Sequence, residues 1–217
     1  MEVPVRSEAS QTSMPTRKAD RVASSEDRLR QAAKTLFAER GFERTTTAAI
    51  CRLAGTSQSQ LIKYFTDKQG VLASIFENTW EQINPAVRLA TESLSSPAER
   101  LKILTEMVLG FLAKDRAIQS LFLLEGRRIR GDGHMVVLVP GFIEFTKLLD
   151  GILKELVTTG QMTPNLHPQA FRSALMGAVE GMLRDHMLAR TSRFPASYTE
   201  SDMRAVISSL LSFFIRE

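Results

Sequence analysis

Residues 45–68 contain two short segments with a helical spacing of apolar residues, separated by a single glycine. In the first segment Thr46 is predicted to cap the start of a helix, and Ile50, Leu53 and Ala54 are predicted to share one of its faces. Gly55 follows directly, and a residue without a Cβ readily adopts the left-handed conformation that closes a helix. Because a second helical pattern begins two residues later, these residues are predicted to form a helix-turn-helix.

The second segment opens with a predicted capping box. Ser57 and Gln60 have the spacing at which each side chain satisfies a backbone donor of the other residue at a helix start. Leu61 and Phe65 are expected to point toward the core. The remaining side chains of the segment are therefore expected on the outer face of a protruding helix.

The types of these outer residues suit contact with duplex DNA. Glutamine can bond an adenine through two hydrogen bonds, serine can bond several base edges, and lysine or a helix N-terminus binds phosphate. We expect Gln58, Ser59 and Gln60 to read bases and Lys63 to contact phosphate. The alternative is a surface helix with ordinary polar residues.

Residues 25–85 resemble the DNA-binding domain of the TetR family of bacterial transcriptional regulators. The matching positions are Ala32, Phe37, Gly41, Phe42, Thr45, Thr46, Ile50, Ala54, Gly55, Ser57, Leu61, Tyr64, Phe65 and Lys68. Three positions depart from the family pattern: Thr56 replaces a common valine, Ser59 a frequent glycine and Ile62 a usual aromatic residue. These departures lie on or beside the recognition helix, so they affect which bases are read.

The resemblance implies phosphate contacts beyond those expected from residue types. It assigns such contacts to Lys68, together with Tyr64 and Thr46. The complete set of predicted DNA-contacting residues is Thr46, Thr47, Gln58, Ser59, Gln60, Lys63, Tyr64 and Lys68. We expect residues 1–24 to be a mobile N-terminal arm, since they lack apolar periodicity. Basic arms of the family can reach DNA, although a solvated tail is the alternative.

The charge distribution supports a division of the chain. Residues 1–70 carry 12 Lys and Arg against 8 Asp and Glu, whereas residues 71–217 carry 16 of each. A basic module attached to a neutral body suits phosphate binding. We therefore predict an arm at 1–24, a helix-turn-helix domain at 25–70 and a helical ligand-binding and dimerisation domain at 71–217.

Several function classes have no residues to support them. The single cysteine, Cys51, cannot form an internal disulfide and is expected in the core. The three histidines share no metal-ligand spacing, and we find no phosphate loop, nucleophile elbow or paired-carboxylate motif. We expect no enzyme activity, metal or cofactor. Without a membrane-spanning run or a signal peptide, the protein is expected in the cytoplasm.

The other helices are marked by their boundaries. A helix is predicted before Gly41, a second is expected from Asp67 until Pro85 interrupts it, and a third starts at a capping box formed by Ser96 and Glu99. The β-branched run at 135–139 could be taken for a strand, but the spacing of the residues that follow it favours a helix. The whole chain is therefore predicted to be all-α.

The last two helices carry a predicted dimer interface. One has small residues every four positions, a spacing that lets another helix approach closely, and the other has a long apolar stripe. The resemblance implies that they form a four-helix bundle with a second subunit; packing within one chain is the alternative. The predicted interface residues are Ser173, Gly177, Gly181, Met203, Val206, Ile207, Leu210 and Phe214.

Methionine and aromatic residues in the body suggest a ligand pocket, because such side chains adapt to apolar guests. The alternative is an ordinary core. The predicted pocket residues are Met107, Phe111, Phe122, Met135, Phe142, Phe145, Phe171 and Met176.

Together, these patterns predict a ligand-responsive, homodimeric repressor that a small apolar or amphipathic molecule releases from double-stranded operator DNA. The alternative is a helical ligand-binding or interaction module whose helix-turn-helix no longer reads DNA.

Overall fold

The computed structural model describes residues 24–126 and 138–216. Within these ranges the chain forms nine helices: α1 (Ser25–Arg40), α2 (Thr47–Ala54), α3 (Gln58–Phe65), α4 (Lys68–Glu92), α5 (Pro97–Lys114), α6 (Arg116–Leu124), α7 (Pro140–Thr158), α8 (Pro168–Thr191) and α9 (Glu200–Phe214). In the same ranges, β-structure is limited to an isolated bridge between Met162 and Ile215. The predicted all-α fold is confirmed. Almost all of the predicted arm, and most of the 135–139 run, lie outside the described residues.

The helix starts follow the predicted caps. The side chains of Thr46, Ser57 and Asp67 accept the backbone N–H groups that open α2, α3 and α4. Gly55 ends α2 in the left-handed conformation, with φ of 60°. Local hydrogen bonding therefore defines the boundaries of the motif before any long-range packing.

Two local predictions are wrong. Pro85 does not interrupt α4, which continues for 25 residues to Glu92. Its neighbours Ile83 and Val87 are buried, and their packing outweighs the roughly 3 kcal/mol that proline costs inside a helix. Leu53, predicted to point inward, is 56% exposed, because the buried face of α2 is centred on Ile50, Cys51 and Ala54.

Helices α1, α2 and α3 pack around Leu29, Ala33, Ile50 and Leu61, all of which are fully buried. Helix α4 contacts both α1 and α3 with its start, and it contacts α5 and α7 farther along. The predicted boundary between residues 70 and 71 therefore falls in the first turn of a helix that belongs to both parts. The division into domains stays a prediction.

Backbones approach closely where α3 meets α4. A Cβ atom at Gly70 would lie 1.9 Å from the carbonyl oxygen of Phe65, at the C-terminal end of α3. No larger residue fits this position without displacing one helix, so Gly70 holds the start of α4 against the end of α3. The sequence analysis did not single out this glycine.

No helix in the described ranges is both long enough and apolar enough to cross a bilayer.

Candidate DNA interface and ligand cavity

Helix α3 is held by Leu61 and Phe65, which face the core, and its opposite side faces solvent. Ser59 and Lys63 lie four residues apart on the outer side, so they share one face. The predicted contacts are distributed as follows: Thr46, Gln58, Ser59, Lys63 and Tyr64 are exposed, whereas Thr47, Gln60 and Lys68 are partly buried. The structure thus brings the predicted residues to one end of the molecule.

Gln58 is bound within the motif. Its Nε2 donates to Thr47 Oγ1 at 2.8 Å, and the Cys51 thiol lies 3.6 Å from its Oε1. Burial raises the pKa of this thiol, so the thiol keeps its proton and can donate it. These bonds tie the first turn of α3 to α2, and Gln58 must release them before its amide can reach a base edge.

Lys68 is also engaged inside the protein. Its Nζ donates to the backbone carbonyl of Phe42 at 2.9 Å and lies 4.3 Å from the centre of the Phe42 ring. The ammonium therefore joins α4 to the turn between α1 and α2. Because this turn directly precedes α2, the bond from Lys68 helps to fix the position of the motif. The sequence did not indicate this positioning role.

Two side chains on the outer face of the motif are apolar. Ile62 is 55% exposed between Ser59 and Lys63, and Tyr64 is 40% exposed with Lys63 Nζ 5.6 Å from its ring centre. An exposed aliphatic side chain on a recognition helix suits contact with the methyl group of thymine. The sequence already indicated that Ile62 affects base reading, because it replaces the aromatic residue that is usual in the family pattern.

An apolar cavity of about 100 Å³ lies in the body. Trp80 of α4 lines it, with its ring centre 5.6 Å from that of Phe122, 5.3 Å from that of Phe142 and 4.7 Å from that of Phe145. The apolar lining is completed from α5 and α8, and Gln119 and Glu180 add polar groups. Such a lining suits an apolar guest with few polar groups.

The predicted pocket residues divide between this cavity and other places. Phe122, Phe142, Phe145 and Met176 line it. Phe111 lines a separate polar cleft beside α1, Met107 packs at the edge of the core, and Phe171 contacts Phe214. Met135 lies outside the described residues. Trp80 was missed because α4 was interpreted as a connector, although it is the only tryptophan in the sequence.

Helix α6 connects the cavity with the DNA-binding end. Gln119, Phe122 and Leu123 face the cavity. At its start, Asp115 caps the helix through the N–H groups of Ala117 and Ile118 and also accepts a 2.8 Å hydrogen bond from Lys34 Nζ on α1.

The pKa of the Asp115 carboxyl shows which charge state this junction stabilises. Burial raises the pKa of the Asp115 carboxyl, but the bond from Lys34 and the backbone N–H groups of α6 outweigh burial and leave the pKa below its ordinary value. The charged carboxylate is therefore the form that the junction stabilises.

The other end of α6 reaches the same turn as Lys68 does. The buried Glu125 carboxylate accepts the backbone N–H of Phe42 at 3.4 Å. Helix α6 thus contacts the DNA-binding end through Asp115 and Glu125 while its middle faces the cavity.

The predicted dimer residues differ in accessibility. Met203 and Ile207 are 3% and 1% exposed within a single chain, so the assignment of these two side chains to a partner surface is corrected. Ser173, Gly177 and Val206 are exposed, whereas Gly181, Leu210 and Phe214 are partly buried. Phe213, which was not predicted, is 78% exposed. On α9, Val206 and Phe213 thus face solvent, and the partly buried Leu210 lies between them.

Among residues 24–126 and 138–216, no group of three or more His, Cys, Asp or Glu side chains is placed to hold a metal ion.

A capped helix-turn-helix, joined through one long helix to a helical body with an apolar cavity, defines a class of DNA-binding regulators. Residues 29–75 match the model of the family described as bacterial regulatory proteins, tetR family. The match places residues 29–75 of the chain in this family of transcriptional regulators.

Individual relatives extend the likeness into the body. The chain is 22% identical to the fatty acid metabolism regulator protein of Bacillus subtilis (strain 168) over 151 residues, which cover 69% of this chain and 76% of that protein. Its fold resembles that of the fatty acid degradation regulator FadR from Bacillus halodurans, with a TM-score of 0.74 at 22% identity over 85% of this chain and 96% of that one.

A third similar structure contains a ligand. It is the transcriptional regulator FadR from Bacillus subtilis in complex with stearoyl-CoA, with a TM-score of 0.70 at 21% identity over 87% of this chain and 96% of that one. At these identities the structural likeness shows a shared fold.

Proposed function

We propose that the protein is a homodimeric repressor that leaves its operator when an apolar or amphipathic molecule enters the body. The observation that carries the proposal is the position of α6, which lines the cavity and contacts the DNA-binding end at both of its termini. The stearoyl-CoA bound by FadR of Bacillus subtilis makes long-chain acyl compounds the first ligands to test.

The size of the cavity supports a coupling between ligand and conformation. A cavity of about 100 Å³ is smaller than the about 150 Å³ that accepts a benzene molecule. An acyl chain therefore enters only if the surrounding helices move apart. Trp80 and Phe122 lie directly in its path, and they belong to α4 and α6, the two helices that contact the turn at Phe42.

Movement of α4 and α6 has a direct route to the recognition helix. Helix α4 begins against the carbonyl of Phe65, and there is no room at Gly70 for the two backbones to approach further. A shift of α4 must therefore carry α3 with it. To change operator occupancy from nearly complete to nearly absent, the ligand must favour the released conformation by about 5.5 kcal/mol.

Geometry and exposed apolar surface support the proposed dimer. Helix-turn-helix dimers read half-sites about 34 to 36 Å apart, so two copies of α3 must be held at that spacing. The proposed partner surface consists of Val206, the partly buried Leu210 and Phe213 on α9, together with the exposed small residues Ser173 and Gly177 of α8. The proposed body, residues 71–217, thus combines dimerisation with ligand binding.

The proposed DNA contacts are Thr46, Thr47, Gln58, Ser59, Gln60, Lys63, Tyr64 and Lys68. Among them, Ser59 and Lys63 share the solvent side of α3 with Ile62. Gln60 adds an amide for base contact, and Gln58 joins after it has left Thr47.

The test is a fluorescence-anisotropy titration of the full-length protein against DNA that flanks its own gene, at several salt concentrations. We expect specific binding that weakens with salt, and release on addition of stearoyl-CoA but not of free coenzyme A. The double variant Gln58→Ala, Gln60→Ala should lose sequence preference.

Two results would contradict the proposal. Absence of specific DNA binding, or an unchanged sequence preference in the double variant, would favour a helical ligand-binding or interaction module whose motif no longer reads DNA. Release by coenzyme A alone would show that the apolar cavity is not the site that controls binding.

A further inference from the structure

The apolar cavity adjoins a second recess between α5, α6, α8 and α9. This recess has a volume of about 110 Å³. Leu109, Gln119 and Leu183 line both spaces, so the two share a wall. An elongated molecule that fills the cavity reaches the recess when these three side chains move aside.

The recess is rich in arginine. Arg116, Arg190 and Arg204 line it, against the single carboxylate of Glu200. Arg204 is paired with Glu200 and with Glu106. Within the described part of the chain, no carboxylate forms an ion pair with Arg116 or Arg190. Two guanidinium groups are thus available at the end of an apolar cavity.

Two helix starts border the recess. Arg116 is the first residue of α6, and Glu200 is the first residue of α9. The N-terminal end of a helix carries a partial positive charge that favours anions, but Asp115 caps α6 and Glu200 begins α9, so these carboxylates offset it and the arginines carry the positive charge of the recess. Helix α5 contributes Leu109 and Ala113 to the lining, and its nearby carboxylate, Glu106, is paired with Arg204.

The pKa of His186 on α8 reflects the positive charge of the arginines in the recess. Burial lowers the pKa of its imidazole, and the charges of Arg190 and Arg116 lower this pKa further, against a raising effect of Glu200. The imidazole ring lies 6.3 Å from the ring of Tyr198. The site therefore disfavours an additional cation, and a bound anion would reverse that effect.

We propose that this recess binds the anionic head group, a carboxylate or a phosphate, of an amphipathic ligand whose apolar chain occupies the cavity. The inference rests on the ligand cavity of the proposed function. Guanidinium groups suit both anions because they form paired, charge-assisted hydrogen bonds with either one. Arg116 directly follows Asp115, so head-group binding acts on the helix start that holds Lys34.

The first experiment uses the single tryptophan as a probe of the cavity. Trp80 fluorescence is followed in the full-length protein during titration with decanoate, decyl phosphate or decanol. We expect the wild type to bind at least one of the two anions about 10-fold or more tightly than decanol, since hydrogen bonds to charged groups are the stronger ones. The comparison of decanoate with decyl phosphate shows which head group the site prefers.

Variants assign the preference to the recess. Arg190→Gln and Arg116→Gln should each remove most of the preference for the anion and leave decanol binding unchanged. Arg184→Gln removes the same charge from an exposed position on α8 outside the recess, so it should keep the preference. Arg116→Lys, which keeps the charge at the start of α6, should retain part of the preference for the anion. Circular dichroism identifies any variant that fails to fold.

Nuclear magnetic resonance of His186 gives a second measurement. Decanoate or decyl phosphate should raise the pKa of His186, whereas decanol should not. If decanoate and decyl phosphate bind no more tightly than decanol and leave this pKa unchanged, the recess is not an anion site, although the cavity remains. If none of the three compounds changes Trp80 fluorescence, the ligand cavity of the proposed function is wrong and this inference fails with it.

Discussion

The DNA-binding end and the body differ in how their functional side chains are held. At the DNA-binding end, Gln58 is bonded to Thr47, Lys68 is bonded to the Phe42 carbonyl, and Gly70 leaves no space between α3 and α4. In the body, Trp80 and Phe122 border unfilled apolar space. The close contacts hold the DNA-binding end in one geometry, whereas the unfilled space leaves room for side chains of the body to rearrange. Helices α4 and α6 belong to both regions.

The largest expected effect compares two phenylalanines. Phe37 is 2% exposed in the core of the DNA-binding end, so Phe37→Ala should lower the free energy of unfolding by about 3–5 kcal/mol. Phe122 is only partly buried and already faces open space, so we expect Phe122→Ala to cost about half as much. Urea denaturation followed by circular dichroism measures both. Equal costs would show that the body is packed as firmly as the DNA-binding end.

Gly70→Ala tests the contact between α3 and α4. The new Cβ would lie 1.9 Å from the Phe65 carbonyl oxygen, so one helix must move, and we expect a loss of about 2–3 kcal/mol together with weaker operator binding. Gly151→Ala is the control, since an added Cβ there meets open space on α7 and should stabilise by about 1 kcal/mol. A Gly70→Ala protein with normal stability and DNA affinity would contradict a rigid junction.

Lys63 and Lys68 separate phosphate contact from positioning. Each change to alanine should weaken binding to all DNA sequences and lower the slope of log affinity against log salt by about 1. Only Lys68→Ala should also reduce stability, by about 1 kcal/mol, because it removes the bond to Phe42. An unchanged salt slope in Lys68→Ala would leave this residue with a positioning role alone.

The smallest expected effect concerns the junction of α1 and α6. The pKa of Asp115 is lowered in the folded protein, so its stabilising effect is present above the ordinary carboxyl pKa of 3.8 and is lost as the pH falls through the lower folded value. With its side chain 34% exposed, the pair should contribute under about 1 kcal/mol. Acid unfolding of Asp115→Asn should lack this component.

The same junction predicts a response to ligand. Lys34→Ala should bind DNA but require more ligand for release, because one contact between α6 and α1 is missing. Arg88→Ala, which removes an exposed pair with Glu144 in the body, serves as the control. Identical release curves for the two variants would exclude Lys34 from the coupling.

Local patterns in the sequence predicted the helices of the motif well. Thr46, Ser57 and Asp67 cap helices at the expected positions because such caps depend only on residues within one turn. The direction of Leu53 and the continuation of α4 through Pro85 were mistaken, since both depend on what packs against the helix.

The candidate sites were predicted in part. Four of the eight pocket residues line the cavity, and Trp80 was absent from that prediction, because which aromatic residues converge depends on how distant helices pack. Likewise, Met203 and Ile207 have the same periodicity as an exposed stripe, yet they face their own chain. Helical spacing identifies an apolar face but does not tell which neighbour covers it.

The sequence alone determined the family, the all-α fold and the turn at Gly55, because short-range spacing and helix caps carry that information. Tertiary structure decided the rest. It bonded Gln58 to Thr47 and Lys68 to the Phe42 carbonyl, placed Gly70 against Phe65 and set α6 between the cavity and the turn at Phe42. These contacts join residues far apart in the chain, and only the packing of the helices brings them within bonding distance.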